Sequence, residues 1–193
     1  MISSELVSFY ESWRKKADVR FDLHNLNHYF DAYFSYFVVF NRLYAEATFV
    51  LARTNQIQIR GNAFPDAKAA KEYALQFMEA RYFVSEIEKD ESCYIAIETI
   101  KDLLVKKSFS IKLDIVYGYP KPEEDFALLN NISSTNSCVK GKAILDFLYT
   151  IRCNMFHGQK EFALVQVEIL HPSIVLLRKT CEILFDKLHS STE

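Results

Sequence analysis

"NLNHYFDAYFSYFVVFNRLYAEATFVLAR", residues 25–53, holds neither glycine nor proline across 29 positions. Tyr29, Phe30, Tyr33, Phe34, Phe37, Phe40 and Tyr44 recur at helical spacing, which predicts one long helix from about Asn25 to Arg53. The rings are too many for a single narrow stripe. A helix apolar on much of its circumference belongs in the middle of a bundle, with other helices packed around it.

Working outward, the rest of the chain also reads as helical. Only four glycines and four prolines punctuate 193 residues, so long helices follow. A first helix is predicted from about Ser4 to Lys16, capped by Ser3 or Ser4, with Leu6, Phe9, Tyr10 and Trp13 as its apolar stripe. A third, over 67–80, has high helix propensity. A fourth covers 81–107, with a break near Lys89–Ser92. Residues 109–137 hold "YGYPKPEED" and "NNISSTNS", which are turn and loop compositions. Within them "SIKLDIVY" is a short strand or an extended loop. A fifth helix runs from about Gly141 to Phe156. The last is predicted to begin at Pro172, as a first-turn proline, and to end near His189. The expectation is an all-α, up-and-down bundle of about five to six helices, a single domain over 1–193, with one long irregular insertion at about 109–137.

Composition excludes several classes. Half of the residues are hydrophobic and the net charge is −2, which argues against disorder and against a global positive field for nucleic acid. A local basic segment remains: Lys140, Lys142, Arg152 and Lys160 stand against Asp146 alone between residues 138 and 160. Cys93, Cys138, Cys153 and Cys181 make no C-x-x-C pair, so no zinc site is expected and reduced, mostly buried thiols are. His24 and His28, at the start of the second helix, lack a third ligand and are expected to face solvent. No glycine-rich phosphate loop or cofactor motif is present, so no cofactor is expected. The early charges of the N-terminus and the shortness of "AYFSYFVVF" (32–40) predict a cytoplasmic protein without a membrane partner.

The chemistry-bearing stretch is "FLYTIRCNMFHGQK", residues 147–160. Ile144, Phe147, Leu148, Ile151 and Met155 form its core face, and Arg152 lies just off that face beside Leu145, Tyr149 and Phe156. Gly158 can end the helix in the left-handed conformation, which frees His157. Asn154 lies three residues before His157. An arginine and a histidine on a helix flank arise readily by chance, so spacing alone carries little weight. Their placement at a helix end is more informative. It joins a permanent cation, an amide and a group that titrates near neutrality.

"IRCNMFHGQK" (151–160) resembles the signature of the HEPN domain family, an arginine followed after four to six residues by a histidine. "FSYFVVFNRLYAEAT" (34–48) resembles the family's long second helix, where a polar residue interrupts an aromatic run. The resemblance extends over the helices around these two stretches and leaves out 109–137. It implies a helical bundle that dimerises so that both motifs face one cleft, and a metal-independent endoribonuclease acting as a toxin or phage-defence effector. By position, Arg152 and His157 would be the catalytic pair, Asn154 the polar residue inside the motif and Asn41 the polar residue of the second helix. Lys160 and Gln159 would contact RNA. Two positions depart from the pattern. Cys153 follows the arginine where many members have a polar residue. Gln159 stands where members paired with a nucleotidyltransferase antitoxin often have tyrosine. The implied partners are an RNA substrate, a second copy of the chain and an antitoxin or inhibitor protein. Dimerisation is expected through the fifth helix, along the apolar flank Leu145–Tyr149–Phe156.

The chemistry suits RNA, which carries its own nucleophile in the 2′-hydroxyl. Histidine can move the protons and arginine can neutralise the charge that builds at phosphorus. The alternative is a catalytically inactive HEPN-like helical module that binds a partner protein or a nucleotide. Another reading of Asn41 also stays open: a buried amide satisfied by neighbouring backbone or by Thr48. The tyrosines of "YGYPKPEED" could stack on RNA or simply belong to a loop.

Overall fold

The long aromatic helix sits at the centre of the computed structural model, which describes residues 3–18, 25–59, 63–114, 116–156 and 166–190. It is α2, Leu26–Arg53, and the Asn25 side chain caps it by accepting the Asn27 amide at 3.1 Å. Thirteen of its residues from Tyr29 to Leu51 are buried, including Tyr33, Tyr36, Phe37, Phe40 and Tyr44. Burying tyrosine requires a partner for each phenol. Tyr33 donates to the Leu148 carbonyl at 2.5 Å, Tyr36 to Asp18 at 2.5 Å and Tyr44 to Asp66.

Three elements surround α2. The first is α1, Ser4–Ala17, capped by Ser3, whose hydroxyl accepts the Leu6 amide at 3.2 Å. The second is α3, a continuous helical run of Asp66–Lys68, a π-helical turn Ala69–Tyr73, and Ala74–Met78. The third is α8, Val167–Ser190, which makes the most extensive contact with α2. Between α3 and α8 in the chain come α4 (Ala80–Lys89), α5 (Glu91–Val105), α6 (Pro122–Ile132) and α7 (Ser137–Phe156). α5 packs on α8 and α6, while α7 packs on α4, α6 and α3. Buried side chains from all eight helices join one hydrophobic cluster.

The all-α expectation holds, but among the described residues there are eight helices rather than about five to six, and no strand. Several boundaries differ, each for a physical reason. The segment 109–137 is not irregular throughout, because α6 occupies its middle. Pro122 in the first turn and the acids Glu123, Glu124 and Asp125 match the needs of a helix N-terminus. The described residues of "SIKLDIVY" form no strand and one antiparallel bridge, Leu113 to Pro120. The break near 89–92 is present, because Asp90 ends α4 and its carboxylate caps α5 by accepting the Cys93 amide at 3.1 Å. The expected 67–80 helix stops at Met78, where Glu79 takes a positive φ of 63°. Gly141 does not start α7 but lies in its second turn. A β-carbon there would meet Leu75 Cδ1 at 2.7 Å, so this glycine lets α7 approach α3. Pro172 does not begin the last helix: α8 starts at Val167 and the proline is buried inside it.

Among the described residues no helix is long and apolar enough to cross a membrane. The four cysteines are free, two buried (Cys93, Cys181), Cys153 half-buried and Cys138 exposed.

Burial makes the fold sensitive to alkali. Desolvation raises Tyr10 and Tyr149 to about 12 and the Cys93 thiol from 9.0 to about 12. Each group holds its proton more tightly folded than unfolded. Their contribution is therefore complete below pH 9 and is lost as pH rises through 9–12. Urea midpoints should stay level from pH 7 to about 9 and fall steadily above it. A midpoint unchanged at pH 11 would contradict this account.

Candidate functional site

The face of α7 turned toward α2 and α3 carries the site. Arg152 is half-buried there. Its guanidinium carbon lies 5.7 Å from the ring centre of Phe37 on α2 and 5.7 Å from that of Tyr149, one turn back on α7. Its Nη1 is 4.0 Å from Cys153 Sγ. Burial pulls the arginine's pKa down, but Cys153, the Tyr149 phenol and Asp66 outweigh it, so the net shift is upward. The group is a fixed cation on an aromatic bed.

Tyr149 is itself tied down. Its hydroxyl donates to Asp66 Oδ2 at 2.8 Å, and the other oxygen of that carboxylate takes the Tyr44 phenol. Asp66 opens α3, where the helix N-terminus favours a negative charge. Lys71 Nζ stands 5.5 Å from the centre of the Tyr149 ring. Lys71 also bonds Asp146 Oδ1 at 3.1 Å, and Lys112 bonds Asp146 Oδ2. Lys112 further donates to the Thr150 hydroxyl at 2.9 Å. Burial pushes the Asp146 carboxyl up, but Lys112 and Lys71 together hold it below the usual range. Two lysines share the Asp146 carboxylate, and Asp66 is the acid that acts on Arg152.

The residues singled out from the sequence divide. Arg152 lies on this face. Asn41 is exposed on α2, one turn beyond Phe37, the ring that carries the guanidinium. The reading of Asn41 as a buried amide is thereby corrected, and the Thr48 hydroxyl bonds the Tyr44 carbonyl at 2.7 Å instead. Asn154 is placed elsewhere. Two residues beyond Arg152 it points about 200° away on an ideal helix. It is buried, and its amide donates to the Ile111 carbonyl at 2.8 Å. In this chain it anchors a loop, and the structure does not bring it to Arg152. His157, Gln159 and Lys160 lie outside the described residues, as does His24.

Two further expectations change. The flank Leu145–Tyr149–Phe156 is not an uncovered apolar strip: Leu145 is 0 % exposed within its own bundle, and Tyr149 is held by Asp66. The Phe156 side chain lies outside the described residues. His28 is half-buried rather than solvent-facing, with Nε2 3.1 Å from Asn25 Nδ2.

Lys71, Lys112, Asp66 and Asp146 were not found from the sequence. Lysines and acids spaced tens of residues apart carry no local signal of a shared partner. The aromatic run on α2 was the visible half of the bed beneath Arg152. Among the described residues, no group of three or more His, Cys, Asp or Glu is arranged to hold a metal ion. Compared with models of protein families, with curated proteins and with solved structures, the chain matches none.

Proposed function

We propose that the chain is a HEPN-like, metal-independent endoribonuclease of the toxin or phage-defence kind. Its Arg152–His157 pairs come from two copies and face one cleft. The observation that carries this reading is Arg152 itself. It is a guanidinium held charged on two aromatic rings, one of which, Tyr149, also carries Lys71, five residues before the histidine of the motif. Such a face suits a phosphodiester.

In the proposed reaction the 2′-oxygen bonds to phosphorus and the bond from phosphorus to the 5′-oxygen breaks. His157 of one copy takes the 2′ proton, and the same residue of the other copy protonates the leaving 5′-oxygen. Arg152 neutralises the charge on the non-bridging oxygens. Asn41 is accessible to hydrogen-bond substrate, and Lys160 and Gln159 extend the contact to the strand. An antitoxin or inhibitor protein would act by covering this cleft.

The competing reading is an inactive module that binds a protein or nucleotide. It draws on the same contacts, since an arginine lying against two rings is also a packing element.

Product chemistry separates the two. The purified protein is expected to cut single-stranded RNA in excess EDTA, leaving a 2′,3′-cyclic phosphate and a free 5′-hydroxyl. A 2′-deoxy nucleotide at the scissile position should stop cutting and leave binding intact. Products with 5′-phosphates, or activity removed by EDTA and restored by magnesium, would rule out the transesterification.

A further inference from the structure

Tyr117 and Tyr119 are the most exposed aromatic side chains among the described residues, at 74 % and 67 %, and neighbouring Val116 is 75 % exposed. Their ring centres are 5.8 Å apart with planes inclined by 28°, so they stack on each other and leave their outer faces to solvent. Two large rings held in water oppose the hydrophobic effect.

The surrounding backbone is extensively tied. The Asp114 carboxylate accepts the Val116 and Tyr117 amides, both at 2.9 Å. The Asp114 amide donates to the Tyr119 carbonyl at 2.8 Å, and Gly118 supplies the positive φ of 69° that the turn requires. At the root, the buried Asp125 carboxylate accepts the Ile111 and Lys112 amides. Asn154 holds the Ile111 carbonyl, and the Lys112 ammonium reaches Asp146 and Thr150. The backbone that carries the rings is therefore held by hydrogen bonds before any ligand arrives, which lowers the entropy cost of binding.

The anchors connect this loop to the candidate site. Thr150 and Asn154 stand on α7 on either side of Arg152 in sequence. A line of contacts runs from Lys112 through Asp146 to Lys71, then to the Tyr149 ring, then to Arg152. The root of the loop that carries the rings is thus joined by contacts to the residues around the guanidinium. Three carboxylates of this segment have partners: Asp114 two amides, Asp125 the loop root, and Glu124 Lys121 at 2.9 Å. Glu123 and Glu124 are exposed acids in the first turn of α6.

We propose that Tyr117 and Tyr119 form a base-stacking platform for single-stranded RNA, whose phosphates follow Lys112 and Lys71 toward Arg152. The proposal rests on the RNA reading above. Single strands offer free base faces, whereas duplex bases are stacked on each other. Aromatic side chains take any base, so the platform would bind with little sequence preference.

The test uses the full chain and an oligonucleotide of about twelve nucleotides with 2′-O-methyl riboses, which binds without being cut. A second probe has the same backbone and abasic positions. Wild type should bind the base-containing strand more tightly. The Tyr117→Ala/Tyr119→Ala protein should lose roughly ten- to a hundred-fold of that affinity and bind the two probes alike. Tyr117→Phe/Tyr119→Phe should keep wild-type affinity, because the ring and not the hydroxyl stacks. Both pairs are exposed, so unchanged circular dichroism is expected. Unchanged binding by the alanine protein overturns the platform and leaves the nuclease reading standing. Unchanged binding with loss of self-association in light scattering would assign the rings to a protein interface instead. If wild type binds neither probe, the RNA reading itself fails, and the platform fails with it.

Discussion

Arg152→Ala is expected to lower RNA cleavage by about 10²–10³-fold, the usual loss when a preorganised donor to a developing oxyanion is removed. His157→Ala should do the same by removing the proton carrier. The two differ in structural cost. Arg152 is half-buried over Phe37 and Tyr149, so its truncation also removes a cation–π contact of about 0.5–2 kcal/mol. A small drop in the urea midpoint should therefore accompany the loss of activity. The fold should survive, because the hydrophobic cluster does not depend on the guanidinium. Arg152→Lys keeps the charge but not the planar fork, and should recover only part of the rate. Expressed without an inhibitor, wild type should arrest growth and both alanine variants should relieve the arrest. The pH optimum should stay in place for Arg152→Lys, since neither cation titrates near neutrality. Alanine variants that unfold, as judged by circular dichroism, would make the pair structural. That result would favour the binding module.

Phe40→Ala should produce the largest loss of stability, about 3–5 kcal/mol. Phe40 is fully buried and meets Tyr44 edge-on at 5.0 Å and Phe37 edge-on at 5.8 Å. The chain around it is rigid helix, so the cavity cannot close easily. Against a typical total of about 5–15 kcal/mol, this is a large share. The effect should reach the candidate site as well. Phe37 lies under the Arg152 guanidinium, and Tyr44 shares the Asp66 carboxylate with Tyr149. Urea unfolding checks the magnitude. Ile95→Ala, on the exposed side of α5, is the control and should stay within about 0.5–1 kcal/mol of wild type. Equal losses at the two positions would remove α2 from the centre of the bundle.

The helix ends that depend on their own neighbours were legible in the sequence. Ser3, Asn25 and Asp90 each cap the helix they precede, and each does so with a side chain reaching an amide two or three residues away. The N-terminal signals of α6 were present as well. Pro122 and the three acids after it fit a loop equally well in the sequence, because proline and acidic residues serve turns and helix starts alike. Gly141 and Pro172 misled for another reason. Each looks like a boundary residue, yet each lies inside a helix. At Gly141 the requirement is room for Leu75, 66 positions earlier in the chain.

The candidate site divides along the same line. Arg152 could be placed off the apolar face of its helix, because helical periodicity is a local property of the backbone. That Asn154 would turn to the Ile111 carbonyl could not be read, nor that Lys71 and Lys112 would meet on Asp146. By itself the sequence determined the all-α class, the central aromatic helix and most helix starts, through patterns a few residues long. Only the tertiary structure decided which side chains hold the 111–121 loop, what lies under the guanidinium and which acid gathers the lysines. Those choices depend on pairing segments far apart in the chain, and helical spacing says which face a residue occupies but not which segment will cover it.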